Sequence, residues 1–298
     1  MHVVAVVVTY QPSLESLAGI RSLERQSAHV LVVDNGSGDG SAAFFKSLEG
    51  GKAEVVRLGR NLGIGAAHNA GIARARELGA ARVLLMDQDS VPEDDMVARL
   101  LEAERDLVSK GEKLGAVGPV FHDQRVGKSW PFYRLTALGM RGYTCDGGDF
   151  VACDFLISSG TLARMQVLDD VGGMNEGYFL EHVDTEWSLR ARAQGYKLFG
   201  ACKARMLHSL GDSAVPVPFL GRRVQVYQPY RHYYLFRNAV LLWRERHAPL
   251  PWKLNEAQRL LKRLVYFSLM VAPRAARLRY MLLGFWHGLL RRVGPLNR

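Results

Sequence analysis

The stretch Arg82–Pro92, RVLLMDQDSVP, poses the question from which the fold can be read. Four apolar residues, Val83 to Met86, run straight into two carboxylates, Asp87 and Asp89, with only Gln88 between them. An apolar run of this length bounded by polar residues reads as a strand buried on both faces, as in parallel sheets. Residues i and i+2 of a strand project from one face, so the two carboxylates would repel each other. A hard divalent cation, Mg2+ or Mn2+, resolves the conflict, because it takes oxygen ligands and bridges to phosphates. The plain alternative is a solvated acidic turn, since Glu93, Asp94 and Asp95 follow. The position at the end of a buried strand favours the metal.

Outward from that strand the first third of the chain alternates. VVAVVVTY (Val3–Tyr10), HVLVVD, AEVVRLG and RVLLMDQD read as strands. QPSLESLAGIRSLERQ, SAAFFKSLEG, IGAAHNAGIARARELG and PEDDMVARLLEAERDLVSKG read as helices. Ser13 is the expected cap of the first helix, and Pro92 is expected near the first turn of the fourth. Strand and helix in alternation predict right-handed crossovers and an α/β fold, a mainly parallel sheet flanked by helices. Ligands of such sheets lie beyond the carboxyl ends of the strands, where Asp34, Asn61 and Asp87 should converge. From Leu114 to Gly211 the pattern is shorter and mixed. A helix over EHVDTEWSLRARAQ, closed by Gly195, would put positions 181, 184 and 188 on one face and 186 and 190 on another. From Tyr230 onward the chain reads as helical. The expected organisation is a domain over 1–229, with halves 1–113 and 114–229, and a helical region over 230–298.

The composition, 48% hydrophobic and 23% charged, is that of a globular chain rather than a disordered one. Cys145, Cys153 and Cys202 show no CxxC spacing, which speaks against a disulfide framework or a zinc site and for a reducing compartment. The N-terminal apolar run lacks the basic flank of a signal peptide. No uncharged apolar run reaches the ~20 residues needed to span a bilayer. The net charge of +10 is unevenly placed: from Lys203 onward, 18 Lys and Arg face 3 acids. This basic tail wants an anionic surface. In Glu256–Arg292 basic residues alternate with Leu, Phe, Tyr and Trp, and Pro273 divides the segment into two helices. Such helices either pack on the domain or lie in the inner leaflet of a membrane. A nucleic-acid partner is not expected, because no binding module accompanies the charge. Oligomeric state leaves no trace in the sequence.

Other residues carry weaker signals. VVDNGSGDGS places Asp34 where it could hold a base or a ribose, or simply close an Asx-rich turn. RNLGIGAAHNAG holds glycines that admit a ligand's close approach but no full dinucleotide fingerprint. His208, just after an expected strand, is either structural or a third ligand beside the acidic pair. In GYFLEHVDTEWSLRARAQGY, Glu186 and Arg190 read as an ion pair, whereas Asp184 has no such explanation and suits a general base.

Together these pieces resemble the inverting, metal-dependent family 2 glycosyltransferases of GT-A fold. Among these the chain is similar to bacterial L-rhamnosyltransferases. VVVTY, VVDNGS, RNLGIGAAHNAG and LLMDQDS carry the general resemblance. FLISSG (Phe155–Gly160), EHVDTEWSLRA, His208 with GDS, and RHYYLFRN (Arg231–Asn238) carry the narrower one. The resemblance implies dTDP-β-L-rhamnose as donor, or else another nucleotide sugar, with a lipid-linked or polysaccharide acceptor. It also implies a Mn2+ or Mg2+ cofactor and a peripheral place on the cytoplasmic face of the inner membrane. It assigns Thr9, Tyr10, Asp34, Asn61, Gly63, Asp87 and Gln88 to the donor nucleotide. Asp89, with Asp87 and His208, would take the metal, and Asp184 would be the catalytic base. Ser159, Gly160, Glu181, His182 and Trp187 would touch sugar or acceptor. The chain departs from the family where Glu181-His182 precedes the acidic motif; counted back from Arg190, Asp184 still falls on the base position and Glu186 on the second acid. A non-catalytic nucleotide-sugar or polysaccharide-binding protein is the alternative of a different class.

Overall fold

The seven residues of β1 (Val3–Thr9) are all buried, and the strand lies inside a mixed sheet. The structure is a computed structural model that describes residues 2–123, 127–137, 139–208, 213–217 and 222–296. After β1 come α1 (Leu17–Gln26), β2 (His29–Asp34), α2 (Ala42–Lys46), β3 (Ala53–Arg57), α3 (Ile64–Glu77), β4 (Arg82–Asp87), β5 (Val91–Pro92) and α4 (Met96–Ser109). The middle of the chain forms β6 (Leu114–Asp123), β7 (Lys128–Ser129), β8 (Phe132–Thr136), β9 (Gly139–Tyr143), β10 (Phe150–Cys153), β11 (Thr161–Arg164), α5 (Met165–Val171), α6 (Val183–Ala193) and β12 (Lys197–Leu207). The hairpin β13 (Ser213–Val217) and β14 (Arg222–Val226) leads to α7 (Arg231–Trp243), α8 (Leu250–Leu269) and α9 (Arg274–Leu289).

The sheet order is β10-β12-β6-β11-β4-β1-β2-β3, with β5 beside β12 and β7 beside β6. Strands β4, β1, β2 and β3 are parallel, as their βαβ connections require, and β12 is parallel to β6. β11 runs antiparallel between β4 and β6. Alternate residues of β1 feed two cores: Val4, Val6 and Val8 on the side of α3, α5 and α6, and Val3, Ala5 and Val7 on the side of α1, α2 and α4. The expected α/β architecture with flanking helices is therefore present.

Four local expectations are corrected. Ser13 precedes a single 3-10 turn, Leu14–Ser16, and its side chain caps nothing. Pro92 lies in β5, opposite Met206, and the helix after it starts only at Met96. A short strand captured by β12 wins over the preference of proline for a helix's first turn. α6 begins at Val183, so Glu181 and His182 precede it and share no helical face with Asp184. Finally, Cys145 and Cys202 are disulfide-bonded across 57 residues of sequence, whereas Cys153 is a buried free thiol. The pairing of β10 with β12 sets Phe150 opposite Ala201, which brings the loop before β10 alongside Cys202. No local spacing advertises a contact made by sheet topology.

The C-terminal helices pack. Phe236 of α7, Leu260 and Phe267 of α8 and Met281 of α9 form a third core. Trp252 of α8, with Leu241 and Leu242 of α7, joins one of the two cores flanking the sheet. Pro273 separates α8 from α9 as expected. Among the described residues, no helix is long and apolar enough to cross a membrane.

Candidate functional site

Strand β4 ends at Asp87, and the chain turns there at once. Asp87 and Asp89, with His208 just after β12, offer ligand atoms that all lie within 4.8 Å of one another. A hydroxyl network sets this geometry. Ser90 Oγ lies 2.6 Å from Ser159 Oγ and 2.8 Å from His208 Nδ1. Ser159 Oγ accepts from the Asp87 N–H at 3.2 Å, so one buried chain of groups fixes strand end and imidazole together. Asp89 Oδ1 stands 3.2 Å from His208 Nδ1. Burial pushes the Asp87 carboxyl up to about 6, and its Oδ1 is buried without a hydrogen-bond partner. Burial disfavours a charged His208, yet the hydrogen bond to Asp89 and the charge of Asp87 outweigh it and raise the imidazole. An orphaned carboxylate oxygen, a second carboxylate and an imidazole form a donor set that suits a Mn2+-like or Mg2+-like cation. Gly211 and Asp212 of the GDS motif lie outside the described residues.

These three side chains line a cavity of about 360 Å3, which also takes in Glu181, His182 and Asp184. Asp184 sits in the first turn of α6, where its Oδ1 accepts from the Thr185 N–H at 2.6 Å. Burial raises the Asp184 carboxyl above its ordinary range, against the pull of that bond. A carboxylate whose proton affinity is raised in a cavity suits the part of a general base. Glu181 accepts from Arg231 Nε at 2.6 Å. His182 Nε2 stands 3.5 Å from Glu256 of α8. The backbone before α6 is unusual: Phe179, Glu181 and His182 have φ of 61°, 59° and 60°. Such positions survive only where the surroundings over-determine them. Here Asn238 does so, with its Nδ2 donating to the carbonyls of Tyr178 (2.9 Å), Leu180 and Glu181 (2.8 Å). Arg237 adds a bond to the Tyr178 carbonyl at 2.7 Å.

The residues expected at the nucleotide form a second group along the ends of β1 to β3. Asp34 is buried, accepts from the Ser37 N–H at 2.9 Å and pairs with Arg57 at 3.2 Å. Gln88 Oε1 accepts from the Tyr10 N–H at 2.7 Å, which leaves the Tyr10 ring exposed at the rim. Asn61 Oδ1 accepts from Asn35 and from the Gly63 N–H. Thr9 is fully buried and donates to the Val33 carbonyl at 3.3 Å, so its hydroxyl closes the strand rather than facing outward. Gly63, at φ 91°, would set a Cβ 2.5 Å from the Phe179 carbonyl; the close approach it permits is to that loop.

Some expected contacts are not brought to the cavity. Trp187 is buried in the core, where its indole N–H donates to the Gly172 carbonyl at 2.9 Å. Gly160, at φ 83°, has Pro119 where a Cβ would stand, so its role is to let β11 approach β6. Glu186 is the buried partner of Arg190 at 2.8 Å and lies 3.1 Å from His247, a core ion pair instead of a surface one. Ser90, Tyr227 and Arg231 at the site were not singled out. Ser90 stands directly after Asp89, and Arg231 opens RHYYLFRN; their partners lie so far along the chain that sequence alone could not pair them.

Comparison with known proteins bears on the family and the fold. The family model described as Glycosyl transferase family 2 matches residues 5–172. The chain is 32% identical over 283 residues to a Shigella flexneri protein named dTDP-rhamnosyl transferase RfbF, covering 94% of this chain and 92% of that one. It is 28% identical over 249 residues to galactofuranosyltransferase GlfT1 of Mycolicibacterium smegmatis, covering 79% and 81%. Among solved structures, S. aureus TarS 1-349 in complex with UDP-GlcNAc superimposes with TM-score 0.60 at 17% identity, covering 97% of this chain and 81% of that one. GalNAc-T7 with UDP, GalNAc and Mn2+ gives 0.59 at 13% identity; the chain spans 56% of that longer protein.

Proposed function

The chain belongs to glycosyl transferase family 2, and from that premise we propose that it moves L-rhamnose from dTDP-β-L-rhamnose to a hydroxyl of a glycolipid or polysaccharide, by one displacement that inverts the anomeric carbon. Similarity to the Shigella protein over almost the whole of both chains supports the donor. One observation carries the chemistry: a half-buried carboxylate, Asp184, shares a single cavity with the acidic cluster of Asp87, Asp89 and His208.

Each group then has a task. Asp184 accepts the proton of the acceptor hydroxyl as its oxygen attacks the sugar, and its raised affinity for protons matches that task. Asp87, Asp89 and His208 would hold a divalent cation, which when bound neutralises charge on the departing nucleoside diphosphate. Ser90 and Ser159 keep the imidazole and the end of β4 in register. Asp34 and its partner Arg57, with Tyr10, Asn61 and Gln88, shape the nucleotide's end of the crevice. The Glu181–Arg231 pair and His182 border the sugar.

The exposed faces of α8 and α9 support a place on a membrane. Leu254, Leu261, Val265, Leu269, Leu282 and Trp286 are exposed there, and no acid follows Glu256 in the chain. An apolar stripe flanked by arginine and lysine suits an anionic bilayer surface, where a lipid-carried acceptor would be met.

The test is to incubate the protein with dTDP-L-rhamnose, UDP-N-acetylglucosamine and a galactofuranose donor, with Mn2+, Mg2+ or EDTA, and to follow release of the nucleotide. Metal-dependent loss of dTDP-rhamnose alone is expected, along with weaker metal-dependent donor binding in Asp89→Asn. Turnover of another donor would move the assignment to that sugar. No turnover of any would sink the enzymatic reading.

A further inference from the structure

Beyond Ile157 and Tyr227, which line both, the cavity at Asp184 borders a second concavity of about 360 Å3 with a different character. Its walls are largely aromatic. Phe121 and Trp130 stack with centroids 6.4 Å apart, and Tyr133 and Phe155 with centroids 6.1 Å apart. Flat apolar rings of this kind accept the C–H face of a sugar.

Charge enters this aromatic cleft from α8. Arg259 and Arg263, one helical turn apart, both reach it. Arg259 Nη1 is held by Glu256 at 3.0 Å. Glu256 is committed further by His182, and although burial opposes its charge, the adjacent Arg259 and His182 hold its carboxyl down at about 2. It has no second charge to give. Among the described residues, half-buried Arg263 makes no hydrogen bond and no ion pair. Burial and the neighbouring Arg259 both press its guanidinium below the ordinary range, and Glu256 compensates only in part. Two further donors in the same wall, Trp130 Nε1 and Gln225 Nε2, are buried without an acceptor. A guanidinium left without oxygen partners costs far more than one that meets them, and a planar fork of N–H groups fits phosphate or carboxylate.

We infer that this second cavity holds the acceptor, and that the acceptor carries an anionic group, a phosphate or a carboxylate, within reach of Arg263. The inference rests on Asp184 as the base, since that places the incoming hydroxyl in the first cavity, which the second adjoins at Ile157 and Tyr227. It adds the charge class of the acceptor, which the family reading leaves open. The sugar ring lies against the Trp130 and Phe121 side, and its anionic group meets the unpaired guanidinium from α8. The donor's own phosphates are directed to the cluster at Asp87, Asp89 and His208, so this positive charge is not needed for them.

The experiment measures binding of methyl glycosides of glucose, galactose and N-acetylglucosamine to the full-length protein by its tryptophan fluorescence. Each is compared with its 6-phosphate, and methyl glucoside also with methyl glucuronide, which separates a phosphate from a carboxylate as the group recognised. At least one anionic probe should bind ten-fold or more tightly than its neutral counterpart. Arg263→Gln should reduce that preference below two-fold, and Arg263→Lys should retain most of it, with both variants melting at the temperature of the parent. Equal binding of neutral and anionic probes, no binding of any anionic probe, or a preference that survives Arg263→Gln overturns the inference. Donor turnover is read separately on the unaltered protein. If dTDP-rhamnose is consumed without a charge preference, only the anionic acceptor is lost. If a preference dependent on Arg263 exists without donor turnover, the transferase reading is the one that fails.

Discussion

Asp87 closes a buried strand with a carboxylate whose Oδ1 is sealed from water without a partner, a cost that a proton or a bound cation would relieve. On the proposed mechanism, loss of Asp184 should separate chemistry from binding. Asp184→Asn keeps shape and cannot take a proton, so the transfer rate should fall by roughly 10²- to 10⁴-fold while donor affinity stays within a few-fold. Steady-state kinetics against dTDP-rhamnose checks this. A second prediction concerns acid. Burial lowers His68 to about 4 and, together with nearby Arg263 and Arg277, lowers His232 to about 3. Both are held neutral in the fold, so the unfolded chain binds more protons once the pH drops below ~6.5. Their contribution to stability is complete above that pH and is lost progressively down toward pH 4 and below. For His68 alone this is worth about 3 kcal/mol. Denaturant unfolding at pH 7 and pH 4.5 should show the loss, and His68→Leu should flatten it. At this scale, what could be read from sequence was the placement of residues at a strand end, such as Asp87 and Asp89. Thr9 and Trp187 were harder, because only the packing shows which way a side chain turns.

Elements explain the rest. The βαβ rhythm from Val3 to Ser109 was legible because each period is local and strongly apolar. The antiparallel insertion of β11 and the disulfide were not, since both depend on contacts between distant segments. The start of α6 was misplaced by two residues because Glu181 and His182 adopt left-handed backbone, which side chains other than glycine seldom signal. That conformation is enforced from α7. Asn238→Ala removes a donor from three carbonyls, of which Tyr178 keeps Arg237 while those of Leu180 and Glu181 are part-buried, so a loss on the order of 1–3 kcal/mol is expected. Because the same loop carries Glu181 and His182 to the cavity and leads into Asp184, the transfer rate should fall even at temperatures where the variant is folded. Thermal melting and single-turnover transfer, measured on one sample, distinguish the two effects.

At the scale of the whole molecule, α8 joins two surroundings. Glu256, Arg259 and Arg263 turn inward, while Leu254, Leu261 and Val265, about half a turn away around the axis, face outward, as a period of 3.6 dictates. The outward face should bind vesicles containing an anionic phospholipid, less strongly as salt rises. The combined change Leu261→Gln, Val265→Gln, Leu269→Gln should weaken sedimentation with those vesicles at least ten-fold while solution turnover of donor persists; equal sedimentation would exclude this face. The two-sidedness of α8 has a geometric corollary. A helix with its side chains is only ~10–12 Å thick, about the length of two sugar rings. With the outer stripe seated in lipid, the helix becomes a gauge: sugars attached near the anchor would fall in register with Asp184, whereas a long glycan would carry its growing tip past the gap. The fold would thus select acceptors by height above the bilayer, and early additions to a short stem would be its natural work.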